Sequence, residues 1–422
     1  MSVNERVCII GAGTAGLCAA KHVAEHGMDP VVFEQSATIG GTWVYTEQTH
    51  EDDYGNEVVS SMYEGLRTNL PKEVMGFPDY LYPRNVEQSF VSASVVLNFL
   101  KSYAKDFRLE QYISVLHQVI RVRPRSDDWE VIVKDLENNV VKTQYFDFVL
   151  VCNGHYTTPT YPEIADLKDF VGVQTHSHHF RNAEAFRDEN VLIIGGGPSG
   201  LDIALHVHKM AKAVFLSHHL ATAPDTRFMP NVTQKPDVQR FTPTGAVFTD
   251  GSSAEFGCVV FCTGYRYTFP FLSADCGIHV EDNHVQHLYK HCINIEHPTM
   301  ALIGLPFRVC PTQLCDIQLR FVLKYFSGQK SLPTRDAMLA DTERDLKSRW
   351  KRGLKKREAH LMAKEQFAYY KDLSETAGIQ NIKPVVQNIL RACGECKYIS
   401  ELETFREAIF RVIDDEEFEK LS

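Results

Sequence analysis

Near the start of the chain, Gly11-Ala12-Gly13-Thr14-Ala15-Gly16 has a spacing suited to holding a pyrophosphate. The first glycine of such a set allows a tight turn, the second lets the phosphates approach the backbone, and the third brings helix and strand together. The helix N-terminus then faces the anion. Glu34 lies 18 residues after Gly16, with Gln35 behind it. A carboxylate there can accept both ribose hydroxyls, as the adenosine of FAD requires. A second set, Gly195-Gly196-Gly197-Pro198-Ser199-Gly200, repeats the pattern, and Asp202 lies just inside the helix that should follow. Eighteen residues after Gly200 stands His218, between Ser217 and His219. No carboxylate is there to repel a 2′-phosphate, while a hydroxyl and two imidazoles offer donors and partial positive charge. This favours NADPH over NADH, though imidazole is weaker than the guanidinium such sites commonly use. The competing reading is two surface histidines.

Both sets need the same elements to position them. Val7-Cys8-Ile9-Ile10 is a short apolar run entering the first glycine turn, helical spacing follows from Leu17 to His26, and Val31-Val32-Phe33 is the next strand. Val191-Leu192-Ile193-Ile194, a helix from Leu201 and a strand from Ala213 to Leu216 repeat that order. Each unit closes on a matching strand and turn, Phe148 to Gly154 and Val259 to Gly264. The chain thus carries one βαβ module twice. Trp129 to Lys134 and Gln144 to Phe148 read as strands of a small antiparallel insert, and Asp341 to Lys371 reads as helical. The expected fold is α/β, two Rossmann-like domains with the second inserted in the first. The first domain takes residues 1–158 and 266–422, and the second takes 159–265.

Composition removes other classes. The chain has 422 residues and a net charge of -10, which disfavours nucleic acid. The basic run from Lys347 to Arg357 reads as a solvated helix face. The 11 cysteines are scattered, as free thiols of a reducing compartment would be. Cys393-x-x-Cys396 has no second pair or histidine to complete a zinc or redox site. His176, His178 and His179, and His287 with His291 one helical turn on, lack the acids or cysteines of a metal set, so no metal is expected. No apolar run approaches the ~20 residues of a spanning helix. A cytoplasmic, soluble protein is expected, or a secreted one if a leader has been removed.

Further motifs resemble those of the flavin-containing monooxygenases. Phe170-x-Gly172-x-x-x-His176-x-x-x-Phe180 is similar to that family's identifying sequence. Gly40-Gly41-Thr42-Trp43 resembles its second FAD motif, and Thr263-Gly264-Tyr265 its linker. Thr68-Asn69-Leu70-Pro71-Lys72-Glu73, followed by Phe77-Pro78-Asp79-Tyr80, resembles the segment that brings an asparagine to the flavin. Departures are Pro198, where many members carry asparagine, and His218, where an arginine is common. Phe180-Arg181 does not match the tryptophan-proline pair of Baeyer–Villiger relatives. The compact layout is similar to that of insect members, a branch that includes pyrrolizidine-alkaloid N-oxygenases, and no membrane tail like that of vertebrate microsomal members is expected.

The resemblance implies FAD and NADPH as cofactors. It implies a flavin C4a-hydroperoxide that waits for a soft nucleophile: a tertiary amine, an alkaloid or a thioether. Asn69 is implied beside the reactive flavin edge, where its amide can donate without discharging the peroxide. The competing role for Asn69 is capping a helix that starts at Pro71. Gly41, Thr42, Trp43, Thr68, Val119 and Gln318 join the FAD site, Gln318 on a helix from Pro311 to Phe326 whose N-terminus could face the flavin pyrimidine. The competing role for Trp43 is that of a core tryptophan. Asp202 and Thr263 join the NADPH site. A flavin disulfide reductase would need a cysteine pair near the flavin, and no cysteine occurs from Ala19 to Leu150. Baeyer–Villiger oxygenation of ketones, a non-oxygenating reductase and a redox-sensing FAD holder remain as alternatives. The sequence leaves open the substrate's identity and whether the chain forms a homo-oligomer.

Overall fold

The apolar run before the first glycine turn forms strand β1 (Arg6–Ile10), buried along nearly its whole length, as a central parallel strand must be. Helix α1 (Thr14–Glu25) returns the chain to β2 (Asp29–Phe33), which pairs in parallel with β1. The computed structural model describes residues 5–219, 228–394 and 402–421. Beyond β2 come the short helix α2 (Lys72–Met75), α3 (Ala93–Asp106) and β3 (Ile113–Ser114). Strands β4 (His117–Pro124), β5 (Trp129–Asp135) and β6 (Val140–Phe146) make the antiparallel insert, and β7 (Phe148–Val151) rejoins the main sheet beside β1. The order β3-β2-β1-β7 continues through Met300–Leu302, Ile293–Asn294 and Leu288–Tyr289 to seven strands.

The second module is a five-stranded, all-parallel sheet: Val232–Lys235, Ala213–Ser217, Asn190–Ile194, Cys258–Phe261 and Val173–His176. Helix α4 (Pro198–Val207) follows its glycine turn. Helix α5 (Pro311–Phe326) packs against α1 under the first sheet, within one large apolar cluster that also takes Phe77, Phe99 and Tyr103.

Two expectations are corrected. The helical reading of Asp341 to Lys371 breaks: one helix ends at Lys351 and another starts at Gln366. Gly353 at φ +89° turns the chain out, a conformation open to glycine at little cost. His287 and His291 are not on a helix; both have positive φ and flank the strand Leu288–Tyr289. His291 instead faces His360 (3.0 Å) and Asp345 (3.1 Å). Strand β4 carries no strand expectation from the sequence, because His117, Arg121 and Arg123 break up its apolar alternation. Cys396 lies outside the described residues.

Candidate active site

Both glycine turns are built alike. In the first, Gly11 has φ +99° and an added Cβ would sit 2.7 Å from the Cys152 carbonyl oxygen. At Gly16 an added Cβ would sit 1.8 Å from the Gly11 oxygen, and at Gly200 1.8 Å from the Gly195 oxygen. Those glycines are demanded by the fold. Gly13 and Gly197 are different. Their φ angles are −80° and −79°, which any residue adopts. A Cβ on Gly13 would make only ordinary contact with Gly41, 3.5 Å from its Cα, and one on Gly197 would meet nothing within 4 Å among the described residues. The protein itself has no need of glycine at these two positions, so the open space is there for something else to approach. The helices behind them fit an anion. Neither α1 nor α4 has a side-chain cap or an acidic residue in its first turn, so their first N–H groups and dipole ends point at that space. Thr14, Ala15 and Ser199 lie in those first turns, and Pro198 starts α4, where a missing N–H costs nothing.

Around the first turn the sequence motifs converge. Glu34 is buried, its Oε2 accepting from Ala12 N (2.7 Å) and its Oε1 from Ser36 N (2.8 Å). Each oxygen keeps a lone pair for a ribose hydroxyl. Gln35 beside it is half-buried. Gly40 donates to the Ala12 carbonyl (3.0 Å), and a Cβ on Gly41 would approach the Gly13 Cα at 3.0 Å. The Gly41–Trp43 turn therefore lies directly on the first glycine turn. Thr42 is fixed by the Ser60 hydroxyl, 3.0 Å from its carbonyl, and Trp43 is half-buried against the α1/α5 core. Val119 sits on β4 where a bulge follows it, before Arg121.

Thr68 is buried and doubly tied to Val91: its N–H donates to the Val91 carbonyl (2.8 Å) and its Oγ1 accepts from Val91 N (3.1 Å). Asn69 is exposed and makes no side-chain hydrogen bond among the described residues. It does not cap α2, whose N-cap is Pro71 and has no side-chain cap bond. The capping alternative is thereby removed.

Two expected contacts turn elsewhere. Gln318 is fully buried, its Oε1 accepting from Gly304 N (2.9 Å) and its Nε2 donating to the Tyr369 hydroxyl (2.8 Å). It lies two turns into α5, with both amide atoms committed to protein partners. The group at that end is Thr312, buried, with a hydroxyl that has no partner among the described residues. Its place in the first turn, behind Pro311, was the signal available in the sequence. Asp202 likewise points back from α4 to the other domain, receiving the Tyr63 hydroxyl and pairing with Arg406 at 2.7 Å.

In the second unit, Ser217 Oγ donates to the Pro236 carbonyl (2.8 Å). His218 is buried beside Gly196, with Nε2 2.7 Å from Gln234 Oε1. His219 is exposed and lies 3.7 Å from the Asp237 carboxylate, which competes with a phosphate for it. Thr263 donates to the Thr160 carbonyl. The loop after His219 falls outside the described residues.

Arg181 has a structural role that its place in the sequence does not signal. Its buried guanidinium donates five hydrogen bonds to main-chain carbonyls: Thr46 (2.6 Å), Gln48 (2.7 Å), His178 (2.8 Å), Phe180 (3.1 Å) and Ser60 (3.1 Å). It pins the segment after Trp43 to the domain junction. Burial, then the neighbouring His178 and His179, pushes the fully buried His176 down to about 4, so it is neutral there at pH 7. Among the described residues the potential metal ligands that group together are Cys18, His22 and Asp316, and that carboxylate already serves His22 (2.9 Å) and Arg320 (2.7 Å).

A seven-stranded and a five-stranded sheet, each with a glycine turn open to a dinucleotide, define a two-dinucleotide flavoprotein. The flavin-binding monooxygenase-like family model matches residues 4–227 and 220–393. The chain belongs to that family: it is a flavin monooxygenase, with FAD and NADPH as cofactors. It is 34% identical to senecionine N-oxygenase of Tyria jacobaeae, over 99% of this chain and 92% of that one. With the flavin-containing monooxygenase FMO GS-OX2 of Arabidopsis thaliana it shares 33% identity, covering 96% of this chain and 92% of the relative. The solved structure of S-allyl-L-cysteine S-oxygenase from Allium sativum superposes with a TM-score of 0.91 at 33% identity, over 96% of each chain. No helix among the described residues is long and apolar enough to cross a membrane.

Proposed function

We propose that this enzyme oxygenates soft nucleophiles, tertiary amines and alkaloids first and thioethers second. The relatives named for N- and S-oxygenation support both classes, each matched over nearly the whole chain, at 34% identity for the N-oxygenase and 33% for the S-oxygenase. The observation that carries the reading is Asn69: an exposed amide without a partner among the described residues, next to a threonine anchored on both sides. When bound, the reduced flavin supplies the activated oxygen. The protein's part is to bind, orient and exclude water. Gly13 and the start of α1 take the FAD pyrophosphate and Glu34 takes its ribose. Thr312, at the start of α5, offers a hydroxyl to the flavin pyrimidine. Gly197 and the start of α4 take the NADPH pyrophosphate, with Ser217 and His218 lining the ribose side. Asn69 donates to the oxygen being transferred; an amide gives a hydrogen bond without giving up a proton. Residues 1–158 and 266–422 form the FAD domain and 159–265 the NADPH domain.

Ketone oxygenation has less support, because Arg181 and its five carbonyls occupy the position where Baeyer–Villiger relatives carry tryptophan-proline. The test is turnover of a tertiary amine, a dialkyl thioether and a cyclic ketone with NADPH under labelled oxygen. Gain of one labelled oxygen by the amine or the thioether, matching the NADPH consumed, is the expected result. Oxygen incorporation into the ketone alone, or complete diversion of NADPH to hydrogen peroxide, would overturn it.

A further inference from the structure

Asp202 and Arg406 meet at 2.7 Å, with their side chains 7% and 12% exposed. A charge pair this far from water persists only where further hydrogen bonds hold its geometry, because both ions have given up most of their hydration. Those further bonds converge on one segment. Arg406 Nε donates to the Thr68 carbonyl (3.0 Å) and Nη2 to the Arg67 carbonyl (3.2 Å). Arg67 returns a bond to the Arg406 carbonyl (3.4 Å) and grips the Phe90 carbonyl (2.8 Å). On the other side, Asp202 receives the Tyr63 hydroxyl, and His206, one turn further along α4, packs edge-on to the Tyr63 ring at 5.4 Å. Three separate stretches of chain thus meet: residues 63–69, helix α4, and the segment around Arg406.

We infer that Arg406 is a positioning residue for oxygen transfer, holding the backbone that carries Asn69 and tying it, through Asp202, to the helix that receives NADPH. The inference rests on the reading of Asn69 given above. The Thr68 carbonyl belongs to the same planar peptide as the Asn69 N–H, so a donor fixed on that oxygen fixes the plane from which Asn69 projects. The Asn69 side chain has no anchor of its own among the described residues, so its direction is set by the main chain before it. Asp202 lies on the first turns of α4, just behind Gly197 and Gly200, in a hydrogen-bonded helix that would carry a displacement along its length. A shift of α4 on cofactor binding therefore reaches Asn69 through two charged contacts. NADPH occupancy and the placement of Asn69 share one coupling free energy.

The test uses the full-length, FAD-loaded enzyme with Arg406→Met, and with Asp202→Asn as a second way to break the same link. Three quantities are read: hydrogen peroxide per NADPH in the presence of a thioether, the anaerobic rate of FAD reduction by NADPH, and amide exchange across residues 64–70 without NADPH. Both variants should raise the peroxide share about fivefold or more, as contact-pair couplings allow. They should lower exchange protection of that segment about tenfold, while FAD reduction stays within about threefold of wild type. Arg406→Lys keeps the charge but loses the planar fork, and should fall between. Wild-type coupling in Arg406→Met overturns the inference, as does uncoupling with unchanged exchange, since the segment would then not be what Arg406 holds. An Asn69→Leu enzyme measured alongside separates the two ideas. If Asn69→Leu is uncoupled and Arg406→Met is not, the link alone fails; if neither is uncoupled, the reading of Asn69 fails with it.

Discussion

Replacing Gly197 with alanine should separate the glycines that the fold requires from those that the cofactor requires. Gly197 has φ −79°, and a Cβ there would meet no atom of the described residues within 4 Å. In the free protein alanine gains about 0.4–1 kcal/mol from a less mobile unfolded chain. It loses a comparable amount, up to about 1 kcal/mol, as a poorer N-cap than glycine. The two roughly cancel, so Tm without ligand should barely move. NADPH is another matter. The methyl would occupy the space over the start of α4, where a pyrophosphate oxygen must come within hydrogen-bond reach of the backbone. Losing one charge-assisted hydrogen bond costs about 1.5–3 kcal/mol, or about 10- to 150-fold in Kd. The control is Gly200→Ala, whose Cβ would lie 1.8 Å from the Gly195 oxygen and must push helix from strand. That variant should lose Tm before any ligand is added. The assay is a Tm without nucleotide followed by titration with NADPH, with FAD content as the internal standard. If Gly197→Ala binds NADPH within about twofold of wild type, less than the loss of any charged hydrogen bond, the pyrophosphate does not lie over this turn. A large fall in Tm would refute the open space itself.

Three further outcomes follow from the same geometry. Asn69→Leu, at an exposed position without a side-chain hydrogen bond among the described residues, should leave stability within about 0.5 kcal/mol. It should divert NADPH oxidation to hydrogen peroxide, lowering product formation about 100-fold or more, the usual effect of removing an oxyanion donor; product yield per NADPH decides. Arg181→Met strands the carbonyls of Thr46, Gln48 and Ser60. It should cost at least about 3 kcal/mol in urea denaturation, and Arg181→Lys should recover little of it, because an ammonium cannot present the same fork. His176 is held at about 4 by burial, below its ordinary 6.5. The unfolded chain therefore takes up its proton first, and the stability this position contributes is full above pH 6.5 and falls as pH drops from there towards 4. The loss is on the order of 2–3 kcal/mol, and His176→Gln should flatten the slope of unfolding free energy between pH 7 and 5.

Much of the architecture is legible in the chain itself. A parallel strand buried on both faces must be a continuous apolar run, and a pyrophosphate turn must carry glycine at fixed intervals. Both constraints are local, so Val7 to Gly16 and Val191 to Gly200 announce β1, α1 and α4 without any tertiary information. Helix α5 matches its expected bounds, Pro311 to Phe326, because proline at the start and a long apolar face define it locally. The resemblance of the Gly40–Trp43 and Thr68–Tyr80 segments to family motifs marks the loops proposed to approach the flavin. Strand β4 was hidden because its outward face carries charges that mask a two-residue period.

Side-chain direction was decided only by tertiary structure. Asp202 stands at the right distance from a fingerprint to serve NADPH, yet the helix turns it toward Tyr63 and Arg406, a partner 204 residues away. Gln318 lies on the expected helix two turns from its start, where burial obliges its amide to satisfy Gly304 and Tyr369. Arg181 looks like an ordinary surface arginine until the fold closes five carbonyls around it. Sequence period fixes which face a residue occupies, because that follows from the backbone repeat. What stands opposite that face comes from chain segments hundreds of residues apart, and the partners of buried charges are settled only when those segments pack.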